Sequence, residues 1–221
     1  MTAFDIKLIA IVTMVIDHIG LFFFPNVLEL RMIGRLAFPL FAWLIANGAY
    51  HTHNIKIYLV RLLALALISQ VPFSLANHYR DSSYVGLNVL FTLCLGLIAI
   101  IIIKKIKYKL VWIFGVLLCA LTASFLNTDY GAMGVFSIVA FYIFFNNTKH
   151  LLLSQFIIYV IPYFDALQQL YWPGLIELLG LFSLIFIYFY NKKEGPKTKY
   201  LFYIFYPIQY VVIYLLQTVL T

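Results

Sequence analysis

Long apolar runs broken by short polar clusters are the dominant pattern of this chain. The breaks leave runs at approximately residues 7–24, 31–50, 57–77, 87–103, 110–126, 131–145, 151–164, 174–190 and 200–220. A hydrocarbon core about 30 Å thick takes about 20 apolar residues of helix to cross. The pattern therefore predicts an all-α, polytopic membrane helix bundle of about nine transmembrane spans, with eight or ten also compatible with the breaks. The sixth and seventh runs are short, and are expected to be tilted, broken or partly re-entrant. No long hydrophilic stretch interrupts the series, so residues 1–221 are read as a single integral-membrane domain. Any chemistry must then come from helix side chains and short loops.

The polar breaks also predict an orientation. Lys56, the cluster Lys104, Lys105, Lys107 and Lys109, Lys149, and the group Lys192, Lys193, Lys197 and Lys199 fall in alternate loops. With Lys7 and Arg61 they place twelve of the fifteen basic residues on one side, against Arg31, Arg35 and Arg80 on the other. The positive-inside rule puts the N-terminus and the lysine-bearing loops in the cytoplasm and the C-terminus outside. Glu29, Asp81, Asp129, Asp165 and Glu177 fall toward the outer ends, Asp5 and Glu194 toward the inner.

Composition agrees with a lipid solvent. The chain is 64% hydrophobic and 10% charged, with a mean hydropathy of +0.98, where a soluble domain is about a quarter charged. The net charge of +7 follows from the loop lysines, so nucleic acid is not an expected partner and membrane lipids are. The first run lacks a basic leader region and a small-residue cleavage site, and is read as a retained helix. Cys94 and Cys119 stand alone in separate runs, without metal-ligand or disulfide spacing. The run YWPG at 171–174 reads as an interfacial aromatic belt.

Ionisable groups inside such runs cost about 2.5–3.5 kcal/mol each on insertion scales, so they face a partner or a cavity. The stretch MVIDHIG places Asp17 and His18 together in the first run, and Arg35 enters the second at a similar depth. Neighbours on a helix point about 100° apart, so either one of the pair faces a cavity while the other bonds a neighbour such as Arg35, or Asp17 and Arg35 pair to fix helix packing while His18 bonds a backbone carbonyl. Asn88, Thr92 and Gly96 form an i, i+4, i+8 stripe, which serves either as a cavity wall or as polar and small-residue glue between helices. Asp129 opens the sixth run as a helix cap or a site residue. Pro207 is expected to kink the last run and turn Tyr206 or Gln209 inward. Arg61, near a cytoplasmic end, either snorkels to headgroups or meets an anionic cofactor. The alternating pair His51 and His53 has no carboxylate or cysteine nearby, and no metal is expected.

Several of these stretches carry a resemblance. The segments IKLIAIVTMVIDHIG (6–20), MIGRLAFPLFAWLIANGAYHTHN (32–54), YLVRLLALALISQVPFSLA (58–76), LNVLFTLCLGL (87–97), DYGAMGV (129–135) and YIFYPIQY (203–210) are similar, in order and over nearly the full chain, to the TraX family of conjugal-transfer membrane proteins. That family also looks distantly similar to transmembrane acyltransferases such as the heparan-α-glucosaminide N-acetyltransferase group. The resemblance implies an integral N-acetyltransferase of the bacterial cytoplasmic membrane, with acetyl-CoA as donor and a pilin or peptide N-terminal amine as acceptor. It also implies a central role for an intramembrane histidine, which His18 matches by position. Three positions depart from the family pattern as the resemblance presents it. Gln209 stands where Tyr-Pro-x-His is common, His53 where an arginine-like residue is expected, and Gln70 where an acid is expected.

Together these readings assign His18 as general base, with Asp17 and Arg35 beside it as the catalytic group. Asn88, Thr92, Asp129, Tyr206 and Gln209 are the candidate substrate-binding residues, and Asn88, Tyr206 or Arg35 the candidate oxyanion donors. Arg61 and His53, with the loop lysines, are expected to meet the phosphates of acetyl-CoA. The competing readings are acylation of an envelope sugar or lipid, and a non-catalytic transporter or assembly factor.

Overall fold

The computed structural model describes residues 1–168, 175–196 and 199–220. The aromatic run at 171–174 and Lys197 lie outside the described residues, and residues 165, 166 and 199–202 are described by backbone alone. Helix makes up 81% of the structure, and no strand occurs among the described residues beyond an isolated bridge between Leu87 and Thr128.

The helices are α1 (Ala3–Phe22), α2 (Leu28–Gly34), α3 (Ala37–His51), α4 (Ile55–Arg80), α5 (Val89–Lys105), α6 (Lys109–Phe125), α7 (Gly131–Ile143), α8 (Thr148–Val160), α9 (Phe164–Gln168), α10 (Ser183–Tyr188) and α11 (Lys199–Leu220), with a short 3₁₀ turn over Ile161–Tyr163 and a 3₁₀ helix over Ile176–Phe182. Among the described residues each predicted run overlaps helix. Their lengths are less uniform than a nine-span bundle implies. Among the described residues, Leu28–His51, Ile55–Arg80 and Tyr203–Leu220 are long and apolar enough to cross a membrane. α7 and α8 have 13 residues each, a rise of about 20 Å. The second run is divided at Arg35 between α2 and α3, and the eighth begins as 3₁₀ helix. The protein is a membrane protein of the all-helical class.

Contacts divide the chain into two compact units, residues 1–44 with 143–198 and residues 45–142 with 199–221. In the first unit α1 packs on α2. Two glycines permit the approach: a Cβ on Gly20 would lie 2.7 Å from Leu30 Cβ, and one on Gly34 would lie 2.1 Å from Asp17 Oδ1. The start of α1 is held twice. Thr2 and Asp5 form a reciprocal capping box, and the amides of Ala3 and Phe4 donate to the carbonyls of Lys193 and Glu194 at 2.9 and 3.0 Å. Four N–H groups at any helix start lack an internal partner, and the 190s loop supplies acceptors for two of them. Gly195 carries φ +77° there, and its missing side chain leaves room for Thr2 Oγ1.

In the second unit α4 packs against α5 and α11, and α5 against α6. Its core is a cluster of small and medium residues, Ala99, Val116, Cys119, Ala120, Ala123, Val135 and Val139. Small side chains let helix backbones approach, which is the usual packing currency where lipid removes the hydrophobic drive between helices. Val60, Leu67, Ile68 and Val71 of α4 point outward with 58–65% exposure. A long helix with an apolar outer face is suited to lipid contact.

Candidate ion-ladder site

The charged residues of the first unit assemble into a ladder. Asp17 on α1 accepts from Arg31 Nη1 at 2.5 Å through Oδ2, and from Arg35 Nη2 at 2.6 Å through Oδ1. Arg35 gives its other Nη to Glu177 Oε1 at 2.5 Å. Arg31 also donates to the Asp17 carbonyl at 3.3 Å. Two cations and two carboxylates thus compensate one another. Arg35 is the most enclosed side chain at 9% exposure, Asp17 is at 13%, and Arg31 and Glu177 are each at 23%.

Local sequence explains this placement. Asp17 projects from the last turns of α1 toward α2, where Gly34 offers no side chain to block it. Arg31 and Arg35 sit one helical turn apart on the same face of that segment, so both reach one carboxylate. Gly180 lets the 3₁₀ helix approach the other side, since a Cβ there would be 3.1 Å from the Arg35 carbonyl. Tyr163 lies near enough to interact electrostatically with both Glu177 and Arg35.

His18 is half-buried, about 100° around α1 from Asp17. Its ring lies edge-on to Phe22, with centroids 6.2 Å apart. Of the two roles open to Asp17, orienting His18 or pairing with Arg35, both of its carboxylate oxygens serve arginine.

In the second unit the polar stripe of α5 is committed to packing. Asn88 is fully buried, caps α5 by accepting from Leu90 N at 3.0 Å, and donates to the Ala66 carbonyl and Gln70 Oε1 at 2.9 Å each. Gln70 Oε1 also accepts from Asn88 N, while its Nε2 donates to the Gly86 carbonyl and Ser74 Oγ. Thr92, likewise fully buried, bonds Thr128 Oγ1 at 2.8 Å and the Asp129 carbonyl. A Cβ on Gly96 would lie 2.4 Å from Ile138 Cδ1. Of the two sequence readings of this stripe, helix glue is the one its bonds describe.

Asp129 is exposed in the turn before α7, and its amide donates to the Leu87 carbonyl at 3.0 Å. Burial and then the nearby Asp129 carboxylate push the Tyr84 phenol above its usual range. Tyr206 is buried against Tyr210, with ring centroids 5.4 Å apart, and Tyr210 stacks edge-on with Phe73 at 5.3 Å. Gln209 is half-buried on the same helix.

Comparison with known proteins now bears on this chain. The family model described as TraX protein matches residues 4–217. The chain belongs to the TraX family. A curated relative, the probable fimbrial assembly protein FimC (serogroup H1) of Dichelobacter nodosus, is 30% identical, covering 94% of this chain and 92% of its own. An uncharacterized protein of Rickettsia prowazekii (strain Madrid E) is 28% identical over 41% of this chain and 33% of its own. No solved structure matches.

In this TraX-family protein the two candidate cofactor residues lie near the start of α4. His53 is exposed in the α3–α4 turn, and Arg61 is exposed two turns into the helix, within electrostatic range of Tyr203. Lys104 ends α5 by donating to the Ala49 carbonyl of α3 at 2.6 Å, with its ammonium 5.7 Å from the Tyr142 ring centroid. Sequence reasoning missed three residues of these two networks. Arg31 and Glu177 were read only as charges near span ends, and Gln70 only as a departure from pattern. A signal for Arg31 was present, because its spacing of four from Arg35 places both on one helix face. Nothing in the sequence points from Glu177 to Arg35.

Proposed function

We propose that this protein is an integral acetyltransferase of the bacterial cytoplasmic membrane. It moves acetyl from acetyl-CoA, taken up at the cytoplasmic side, to an amine at the outer side, with a fimbrial subunit or peptide N-terminus as acceptor. Membership of the TraX family and the fimbrial assembly protein among its relatives support the acceptor class. The observation that carries the reading is the Asp17–Arg35–Glu177 ladder, with Arg31, held beside His18 in an otherwise apolar helical unit. Four charges that neutralise one another form a frame in which a neighbouring histidine keeps a fixed position at membrane depth.

Acetyl transfer to an amine needs a base for the amine proton and a donor for the developing oxyanion. Neutral His18 takes the proton as the amine nitrogen attacks the thioester carbonyl. The carbon–sulfur bond then breaks, and the imidazolium returns its proton to the leaving thiolate. Arg35, with both Nη atoms held by carboxylates, is a positioning residue. Arg31 engages Asp17 through Nη1 and carries further N–H donors on its guanidinium, so it serves as the oxyanion donor. Asp129, Tyr206 and Gln209, all in the second unit, are the sequence-based candidates for acceptor contact. Asn88 and Thr92 act through the helix frame of the second unit.

The test uses purified protein, acetyl-labelled acetyl-CoA and a synthetic peptide with a free fimbrial N-terminus. Label on the peptide with wild type, and its loss with His18→Ala, is the expected result. Absence of transfer by folded wild type to any pilin, peptide or envelope amine sinks the proposal. The relative's printed role in assembly favours a second reading, a non-catalytic assembly factor. That reading predicts a protein that binds fimbrial subunits but not acetyl-CoA.

A further inference from the structure

A cavity of about 150 Å³ lies within the first unit, away from the ion ladder. Trp43 of α3 forms its floor and is 2% exposed. Phe145 lies nearly parallel to that indole, 6.3 Å away with 17° between planes, and Tyr190 meets it edge-on at 4.7 Å. Leu151 and Leu184 complete the apolar wall, whereas Asn146, Thr148 and Lys192 stand at the rim. Tyr188 borders the open side and is itself 65% exposed.

This rim is built rather than incidental. Asn191 donates its amide to the Met1 carbonyl at 2.8 Å, and its side-chain oxygen accepts from Lys193 N at 3.0 Å. The N-terminal ammonium bonds the Phe189 carbonyl at 2.8 Å. Lys192 sits in that braced loop with φ +62°, so its position is set by the chain on both sides. The charge at the rim is positive, with Lys149 following Thr148 directly, and no carboxylate borders the cavity among the described residues.

We infer that this cavity receives the purine-nucleotide end of the acyl donor, with the base against Trp43 and the phosphates on Lys192. The inference rests on the acetyl-CoA reading above and gives that donor a place. A cavity of about 150 Å³ takes one benzene-sized ring, so one ring of the purine enters against Trp43 while the rest of the base, the sugar and the phosphates lie along the rim. Aromatic walls suit a planar base because every base presents a π-face. Asn146 and Thr148 supply edge donors and acceptors, and Lys192 supplies the cation. Arg35 stands at the α2–α3 junction, and the six residue steps from Ala37 to Trp43 along α3 rise about 9 Å. A donor anchored by its base at Trp43 therefore extends a flexible thioester arm along α3 toward the ladder.

The experiment uses the full chain in phosphatidylcholine nanodiscs, titrated by calorimetry with CoA, adenosine 3′,5′-bisphosphate and pantetheine. CoA and the bisphosphate are expected to bind, and pantetheine to bind far more weakly. Lys192→Gln and Tyr188→Ala, both at exposed positions, are each expected to weaken the first two by about tenfold. Unchanged affinity in both variants overturns the inference, as does loss in Arg61→Ala alone. A co-purifying anionic phospholipid that is lost in Lys192→Gln, with no nucleotide bound, overturns it in favour of a lipid headgroup. Lys192-dependent binding of the bisphosphate without acetyl transfer sinks the acetyltransferase reading and leaves the cavity assignment standing. Transfer with an unchanged KM for acetyl-CoA in Lys192→Gln does the reverse.

Discussion

Arg35 and Glu177 are 142 residues apart in the chain and 2.5 Å apart in the fold. The same guanidinium holds Asp17 at 2.6 Å through its other Nη. One cation therefore ties α1, the α2–α3 stretch and the 3₁₀ helix, and its planar fork is the reason arginine occupies the position.

Removing that cation leaves two carboxylates enclosed and facing a gap. Arg35→Ala is expected to destabilise the protein by about 3–5 kcal/mol, because breaking a buried pair strands the surviving charge. Arg31→Ala leaves Asp17 bonded to Arg35, and is expected to cost about 1 kcal/mol or less. Denaturant unfolding of both variants in detergent checks the contrast; equal losses would dissolve the shared-cation argument.

Gly34 is the second test of the same geometry. Its Cβ in Gly34→Ala would overlap the Asp17 carboxylate, so a loss of about 1–3 kcal/mol from overpacking is expected. Because the clash is with the Cβ as well as the carboxylate of Asp17, Asp17→Gly in the same molecule should recover part of that loss. Strictly additive losses in the double variant would place the cause elsewhere.

Gln70 uses both ends of its amide, accepting from Asn88 and donating to Gly86 and Ser74. A carboxylate at this position keeps the Asn88 bonds and loses the donor. Gln70→Glu is expected to destabilise by about 1–3 kcal/mol, since it leaves acceptors unpaired in a partly buried site. Faster amide exchange confined to residues near 86–90 would support this, and unchanged exchange with unchanged stability would refute it.

His18 separates chemistry from packing. Its ring is half-buried and meets Phe22 edge-on, so His18→Ala is expected to cost about 1–3 kcal/mol of stability and still fold. Loss of a general base is expected to lower transfer by about 10²–10⁴-fold. A variant with full activity, measured by label transfer, removes His18 from the mechanism.

The helical class and the three segments long and apolar enough to cross a membrane were legible because transfer free energy into lipid adds up residue by residue along a segment. The depth match of Asp17 and Arg35 was legible for the same reason, because a short connection and a fixed helical rise set it. Half of the ladder was not. Glu177 joins it only because α1, α2 and the 3₁₀ helix pack together, and Gly34 and Gly180 permit an approach that no hydropathy pattern encodes. The α5 stripe was ambiguous in the same way. Asn88, Thr92 and Gly96 share a face by periodicity, but only the facing Gln70, Thr128 and Ile138 decide that the face is glue.

By itself the sequence determined a membrane-embedded helical chain of the TraX family, with ionisable residues placed within its apolar runs. Those properties depend on composition, local order and motif, all of which survive in one dimension. The tertiary structure alone decided which charges pair, which helices reach membrane-crossing length, and where a cavity opens beside Trp43. Each of these depends on side chains brought together from distant segments, where sub-ångström differences in approach separate a salt bridge from a clash.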